Sequence, residues 1–120
     1  MSKSDEDKAR EERIYNEAIV DAYGEEEQAM GWYYYLEGKI TFPFKAECIA
    51  KRSISPLKLG EKTEVVKMAS EEDCMQEPFV LIQFMDRTFG VPLAQLKPLE
   101  VDEQTREAVE DWYYWVRKYP

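Results

Sequence analysis

The chain has 120 residues, 44% hydrophobic and 13% aromatic, so it is long enough for one compact domain with a core and too short for two of ordinary size. Its 25 acidic and 16 basic residues give a formal net charge of -9, which disfavours nucleic acid and anionic membranes as partners and favours cations. Histidine, the commonest general base and transition-metal ligand, is missing. We therefore predict a single domain, residues 1–120, that is not an enzyme.

The first residues, MSKSDEDKAREER, are charged where an export signal needs an apolar run, and no stretch of the chain approaches ~20 apolar residues. The two cysteines, Cys48 and Cys74, are too few for a disulfide scaffold and fit a reducing compartment. We predict a cytoplasmic protein that neither spans nor binds a membrane. Residues 1 to about 11 are expected to be frayed or disordered, because nearly all of them are charged or small.

Helical spacing dominates the first third of the chain. Apolar and aromatic residues repeat at this spacing from Ile14 to Tyr23, and Gly24 is a natural stop just past the end. A second helix is predicted over residues 25–39, because three glutamates at its start suit the positive end of a helix dipole. Two internal glycines are unfavourable in this helix, but one apolar stripe supports it. The stripe consists of Ala29, Trp32, Leu36 and Ile40.

The period then changes to two, as in half-buried strands. Alternation from Phe42 to Ala50 predicts a first strand, and the turn residues in SPLKLGEK lead into a second, TEVVKMA. FVLIQFM reads as a central strand, and Asp86 with Arg87 is predicted to turn it into TFGVP as a hairpin. The tail DEQTREAVEDWYYWVRKY predicts a closing helix with Asp102 as its N-cap.

These elements predict an α+β fold. Four or five short strands joined by polar turns should pair antiparallel, as a small sheet or an SH3-like barrel. N-terminal helices and a C-terminal helix flank this sheet. The aromatic runs GWYYYLEGKI and DWYYWVRKY are predicted to be core and helix-packing material rather than a ligand-stacking surface.

The stretch SEEDCMQEPF, residues 70–79, is the first candidate site, with the carboxylates Glu71, Glu72, Asp73 and Glu77. A solvated turn is one explanation. The other is a cation site, since four like charges within seven residues repel one another and a divalent ion would relieve that repulsion. Clustered carboxylates suit Ca²⁺, whereas two cysteines without histidine cannot supply an ordinary zinc site. The spacing is not that of an EF-hand.

Two further acidic groups are weaker candidates. Asp21, Glu25 and Glu26 form a second possible set of metal ligands, although glutamates in a first helical turn already have a structural reason to be there. The run from Glu100 to Asp111 is predicted to spread around a solvent-facing side of the closing helix, so it is left out of the site.

Three long segments of the sequence resemble one known family. They are IVDAYGEEEQAMGWYYYLEGKITFPFKAECI, SPLKLGEKTEVVKMASEEDCMQEPFVLIQF and FGVPLAQLKPLEVDEQTREAVEDWYYW. In this order they resemble the cyanobacterial calcium-binding protein family, whose best-known member acts as a calcium buffer in heterocyst development. The likeness extends from about Arg13 to Trp115. It implies a small, acidic, cytoplasmic, non-EF-hand protein that binds calcium through surface carboxylates.

The resulting hypothesis is a non-catalytic protein that buffers free calcium, with calcium ions as its ligand and no protein partner identified. The predicted metal ligands come from carboxylate clustering and not from the resemblance. The alternative hypothesis is an SH3-like interaction module whose acidic face binds a basic protein partner.

Overall fold

The computed structural model describes residues 4–119, which form three α-helices and a five-stranded sheet. The α-helices are α1 Asp5–Arg13, α2 Glu25–Lys39 and α3 Glu103–Lys118. The strands are β1 Phe44–Cys48, β2 Lys62–Met68, β3 Phe79–Phe84, β4 Arg87–Pro92 and β5 Leu96–Leu99. A π-helical turn, Ile14–Ala18, continues α1, and 3-10 turns Glu72–Cys74 and Leu93–Gln95 follow β2 and β4.

The sheet has the strand order β4-β3-β2-β1-β5, and every neighbouring pair is antiparallel. Helices flank it, which confirms the predicted α+β class. The last strand returns to pair with the first. In residues 4–119, however, β4 and β5 remain the two edges, so the strands form the open sheet rather than a closed barrel.

Apolar side chains from the sheet, α2 and α3 form the core. Leu36 of α2 and Val109 of α3 are fully buried together with Val65, Ile82 and Leu96 of the strands. The predicted apolar stripe of α2 is confirmed at Trp32, Leu36 and Ile40, which are all buried. None of the helices within residues 4–119 combines the length and apolar character needed to cross a membrane.

The hairpin between β3 and β4 forms as predicted, with its turn one residue earlier than expected. Met85 and Asp86 are the central residues, with φ of 50° and 63°, and Phe84 pairs with Arg87. Positive φ at both central positions is the geometry of a type I′ turn, whose twist matches that of the flanking strands. Arg87 therefore belongs to β4 and not to the turn.

The start of the chain is helical from Asp5 onwards, within the segment of residues 1–11 that was predicted to be frayed or disordered. Helix α1 begins at Asp5, and the side chains of Arg10 and Arg13 extend from it to the carboxylate of Asp111 in α3. The charged composition indicated solvation, but these two guanidinium groups have a buried partner. Residues 1–3 lie outside the described residues.

The prediction that Asp111 faces solvent with the rest of its acidic run is wrong. Its side chain has no exposed surface. Arg13 donates two hydrogen bonds to it, from Nε to Oδ2 at 2.8 Å and from Nη2 to Oδ1 at 2.7 Å. The Tyr35 hydroxyl donates a third at 2.8 Å. Asp111 thus links α1, α2 and α3 through one carboxylate, and its hydrogen bond with Arg13 raises the pKa of that guanidinium.

The first helix ends earlier than predicted, at Ala18 instead of Tyr23. The N–H of Ile19 donates to the carbonyl of Ile14 at 3.0 Å, which closes the π-helical turn, and the backbone then leaves helical geometry. Helix α2 crosses at this point. Gly31 packs so closely on the Ala18 carbonyl that a Cβ at position 31 would clash with it. The glycine that disfavoured α2 by propensity is therefore required by the packing.

Replacing Gly31 with alanine is expected to lower the free energy of unfolding by about 1–3 kcal/mol, because α2 must shift away from the Ala18 carbonyl. The matched control is Gly38→Ala on the same helix, where nothing lies within 4 Å of the added Cβ. That change should raise stability by about 0.5–1 kcal/mol, since alanine is the better helix former. Urea denaturation of both variants measures the difference, and equal effects of the two would contradict the close contact.

Candidate metal centre

The first predicted set of ligands lies on the connection between β2 and β3. A buried thiol anchors this connection: Cys74 has no exposed surface, and its sulfur accepts a hydrogen bond from the Phe79 N–H at 3.3 Å. Burial, assisted by the negative charge of Asp73, raises the pKa of the Cys74 thiol. With Cys74 pointing into the core, the carboxylates of Glu71, Glu72 and Asp73 remain on the exposed side of the 3-10 turn. The acidic stretch is thus an ordered turn.

Three of these carboxylates line one cleft. Glu72, Asp73 and Glu77 face a depression of about 620 Å³ next to β3, and Arg52 lies on the same wall. Arg52 donates from Nη2 to the Oε1 atom of Glu77 at 2.8 Å, in a pair that is partly open to solvent. A cation bound here would therefore meet Glu77 in competition with an existing ion pair.

Glu71 is oriented differently from its neighbours. It accepts a hydrogen bond from the hydroxyl of Tyr34 on α2, and this bond raises the pKa of Tyr34. Glu71 does not line the cleft of Glu72 and Asp73. Its carboxylate fixes the acidic turn against α2 instead of pointing into the cleft.

The second predicted set is divided. Glu25 and Glu26 are exposed in the first turn of α2, whose N-cap, Gly24, offers no side-chain hydrogen bond. Both line a second cleft of about 830 Å³ that also includes Glu77. Asp21 lies in the preceding turn with φ of 55° and is not part of that cleft.

The structure therefore brings the two sets to adjoining clefts that share residues 75–77. The predicted ligands that line them are Glu25, Glu26, Glu72, Asp73 and Glu77. Their donors are all carboxylate oxygens, the type that calcium prefers. In residues 4–119, no three acidic, histidine or cysteine side chains converge closely enough to hold a metal ion without rearrangement. The donor set fits calcium in its chemistry, and the clefts are open rather than caged.

Sequence reasoning missed that Glu77 lies beside the start of α2. Nothing local in the sequence reveals this neighbourhood, because residues 25 and 77 are joined only by the tertiary fold. The aromatic wall of the second cleft was not predicted either, although the aromatic runs around Trp32 and Trp115 indicated it.

Comparison with known proteins gives concordant results. A family model described as calcium binding, Calci_bind_CcbP, matches residues 12–116. The crystal structure of Anabaena CcbP is 36% identical, with a TM-score of 0.82 over 97% of this chain and 95% of that one. A structure described as a calcium binding protein in the calcium-binding form is 34% identical, with a TM-score of 0.85 over 98% of this chain and 97% of that one. No curated protein matches significantly.

These matches confirm the resemblance that the sequence predicted, and they extend it to nearly the whole chain. The matched family is a calcium-binding one and not a known class of enzymes. Since the family model spans most of the chain and the identities exceed the level at which only the fold would be shared, this chain belongs to the CcbP family of calcium-binding proteins.

Proposed function

We propose that this protein binds calcium at the carboxylates around residues 75–77 and buffers free cytoplasmic calcium by mass action, without catalysis. The observation that carries the proposal is that Glu77 lies at the junction of two clefts, where members of both predicted acidic sets are brought close together. Family membership supports the choice of ion. A cytoplasmic location is supported by Cys48 and Cys74, which are both free and buried.

Glu72, Asp73 and Glu77 would hold calcium in the first cleft, and Glu25 and Glu26 would do so in the second. Each cleft is open to water, so a bound ion would keep part of its hydration shell beside the carboxylates. An open site of this kind binds and releases calcium according to its free concentration, which is what buffering requires. The ion would also offset part of the net charge of -9.

Calcium is expected to bind with a dissociation constant on the order of 10⁻⁵ to 10⁻³ M, because open surface carboxylates lack the enclosing cage of a high-affinity site. Magnesium should bind more weakly, since it demands near-ideal octahedral geometry and gives up water reluctantly. Isothermal titration calorimetry of the chelator-treated protein with each ion measures both constants. Nanomolar calcium affinity would contradict the open-cleft site, and no calcium uptake would leave the acidic face as a protein-binding surface.

Calcium affinity is expected to fall as the pH drops from about 7 towards about 4.5, because protons compete for carboxylates whose ordinary pKa is near ~4. An ion that binds only the folded protein raises its stability, so the gain should be largest at neutral pH and shrink on acidification. The measurement is the melting temperature with and without millimolar calcium across this range. A gain that is independent of pH, or one that magnesium reproduces at equal concentration, would contradict carboxylate ligands.

A further inference from the structure

The larger of the two clefts has an aromatic wall beside its acidic residues. It lies between the first half of α2, residues 75–78 and the C-terminal half of α3, and its volume is about 830 Å³. The aromatic lining residues are Tyr15, Trp32, Trp112, Trp115 and Tyr119. A space of this size matches a small organic molecule rather than a single hydrated ion.

The rings of this wall are inclined to one another. Trp32 and Trp112 have centroids 5.2 Å apart at 71°, and those of Trp115 and Tyr119 are 4.4 Å apart at 45°. Trp32 and Trp112 are almost fully buried, so the rings accessible from the cleft are those of Tyr15, Trp115 and Tyr119. The negative face of an aromatic ring attracts cations. Tryptophan is the strongest residue in this role.

The charged residues that line the cleft are the acidic Glu25, Glu26 and Glu77. Of these, Glu77 is already paired with Arg52. At the outer end, the ring of Tyr119 already has an ammonium group beside it, because Nζ of Lys118 lies 5.7 Å from its centroid. Aromatic faces combined with carboxylates favour a cation that is also apolar, since a hydrated metal ion gains little from the rings.

Two indole groups in the wall have unused hydrogen-bonding capacity. Trp32 and Trp112 are 2% and 6% exposed, and the Nε1 atoms of both are buried with no hydrogen-bond partner in the described chain. Because neither nitrogen is accessible from the cleft, a ligand cannot use this capacity, and the two indoles contribute apolar surface to the wall.

We propose that this cleft binds small alkylated ammonium compounds, with the cation held between the aromatic wall and Glu25, Glu26 and Glu77. The ligand differs in kind from calcium, because it is organic and uses the rings. The two ligands share glutamates, but the proposal does not depend on which carboxylates bind calcium.

The test uses choline as the probe and 3,3-dimethylbutan-1-ol as its uncharged analogue of the same shape. Both are titrated into the full chain in the presence of a chelator, so that calcium does not occupy the shared glutamates, and tryptophan fluorescence is followed. Choline is expected to saturate the signal, and the neutral analogue to bind about tenfold more weakly, the ratio expected for loss of one desolvated cation–π contact. Equal affinity for both compounds, or no saturable binding of choline, would overturn the proposal.

Two variants locate the binding. One is the double variant Glu25→Gln with Glu26→Gln, and the other is Tyr119→Ala. Each should weaken the binding of choline at least several-fold. All three side chains are exposed, so the changes should leave the fold intact. The control is Glu64→Gln, an exposed carboxylate on β2 outside this cleft. If the control weakens choline as much as the cleft variants do, the attraction is a general effect of charge and the site is wrong. A calcium titration of the same samples reports on the calcium proposal separately.

Discussion

Replacing Asp111 with asparagine is expected to lower the free energy of unfolding by about 3–5 kcal/mol, a large share of the stability of a small domain. The carboxylate is fully buried and accepts hydrogen bonds from Arg13 and Tyr35, while Arg10 approaches within 3.4 Å. Asparagine keeps the size but removes the negative charge, and it offers one acceptor oxygen instead of two. The guanidinium groups then remain partly buried without their counter-charge.

The matched control is Glu107→Gln, one turn earlier on α3. Glu107 also contacts Arg13, at 3.4 Å from Nε to Oε1, but its side chain is 42% exposed. A pair so open to solvent should contribute less than about 1 kcal/mol to the free energy of unfolding, so Glu107→Gln should have only a small effect. Urea denaturation measures both variants, and an unchanged m-value would show that the folded and unfolded states remain comparable.

A small effect at Asp111, similar to that at Glu107, would mean that the buried contacts do not stabilise the assembly of the three helices. The double variant with Arg13→Met gives the coupling energy of the pair directly. A coupling energy near zero would contradict the role assigned to this carboxylate even if the single variant were unstable for another reason.

Helices α2 and α3 and the β3–β4 hairpin could be predicted because each has a local cause. Three glutamates begin α2, Asp102 caps α3 by accepting from the Thr105 N–H at 2.7 Å, and alternating residues form the strands. Hydrogen bonds from Thr105 and then Thr41 also lower the pKa of Asp102, as expected for an ionised cap. In these elements, the sequence pattern and the tertiary structure favour the same geometry.

Helix α1 and Asp111 could not be predicted in this way, because their explanations are partners distant in the chain. The segment of α1 is nearly all charged, and only its contacts with α3 distinguish it from a solvated tail. The helical phase does carry one indication of this burial: Asp111 is three residues after Ala108 and next to Trp112, both of which are buried. A carboxylate at an apolar phase of an amphipathic helix predicts a buried partner.

The candidate site was predictable to the extent that charge clustering shows in the sequence. Glu72 and Asp73 lie on an exposed turn, and their role as ligands stays a prediction. Charge clustering could not show that Glu71 accepts a hydrogen bond from Tyr34 and so differs from its neighbours. It also could not show that Glu77 lies beside the start of α2. Both relations depend on how α2 packs beside the acidic turn, which no local pattern specifies.

Replacing Glu72 with glutamine and Asp73 with asparagine together is expected to raise the calcium dissociation constant by about tenfold or more, equivalent to about 1.4 kcal/mol. Amides keep the shape and one oxygen but lose the charge that a hard cation requires. The fold should be unaffected, because both side chains are exposed on the turn. Calorimetry gives the affinity, and circular dichroism reports on the fold. Glu71→Gln alone should have a smaller effect, since that carboxylate is bonded to Tyr34.

The control that makes this test decisive removes the same amount of charge elsewhere. Glu12→Gln with Glu64→Gln neutralises two exposed carboxylates, on α1 and β2, that line neither cleft. If calcium is held at the acidic turn, this variant should bind it nearly as well as the original chain, because interactions over more than a Debye length of about 10 Å are screened at moderate salt. If both double variants weaken calcium equally, the ion is attracted by the overall net charge of -9 and not by a site. If only Glu25→Gln with Glu26→Gln weakens it, the ligands are in the second cleft instead of the first.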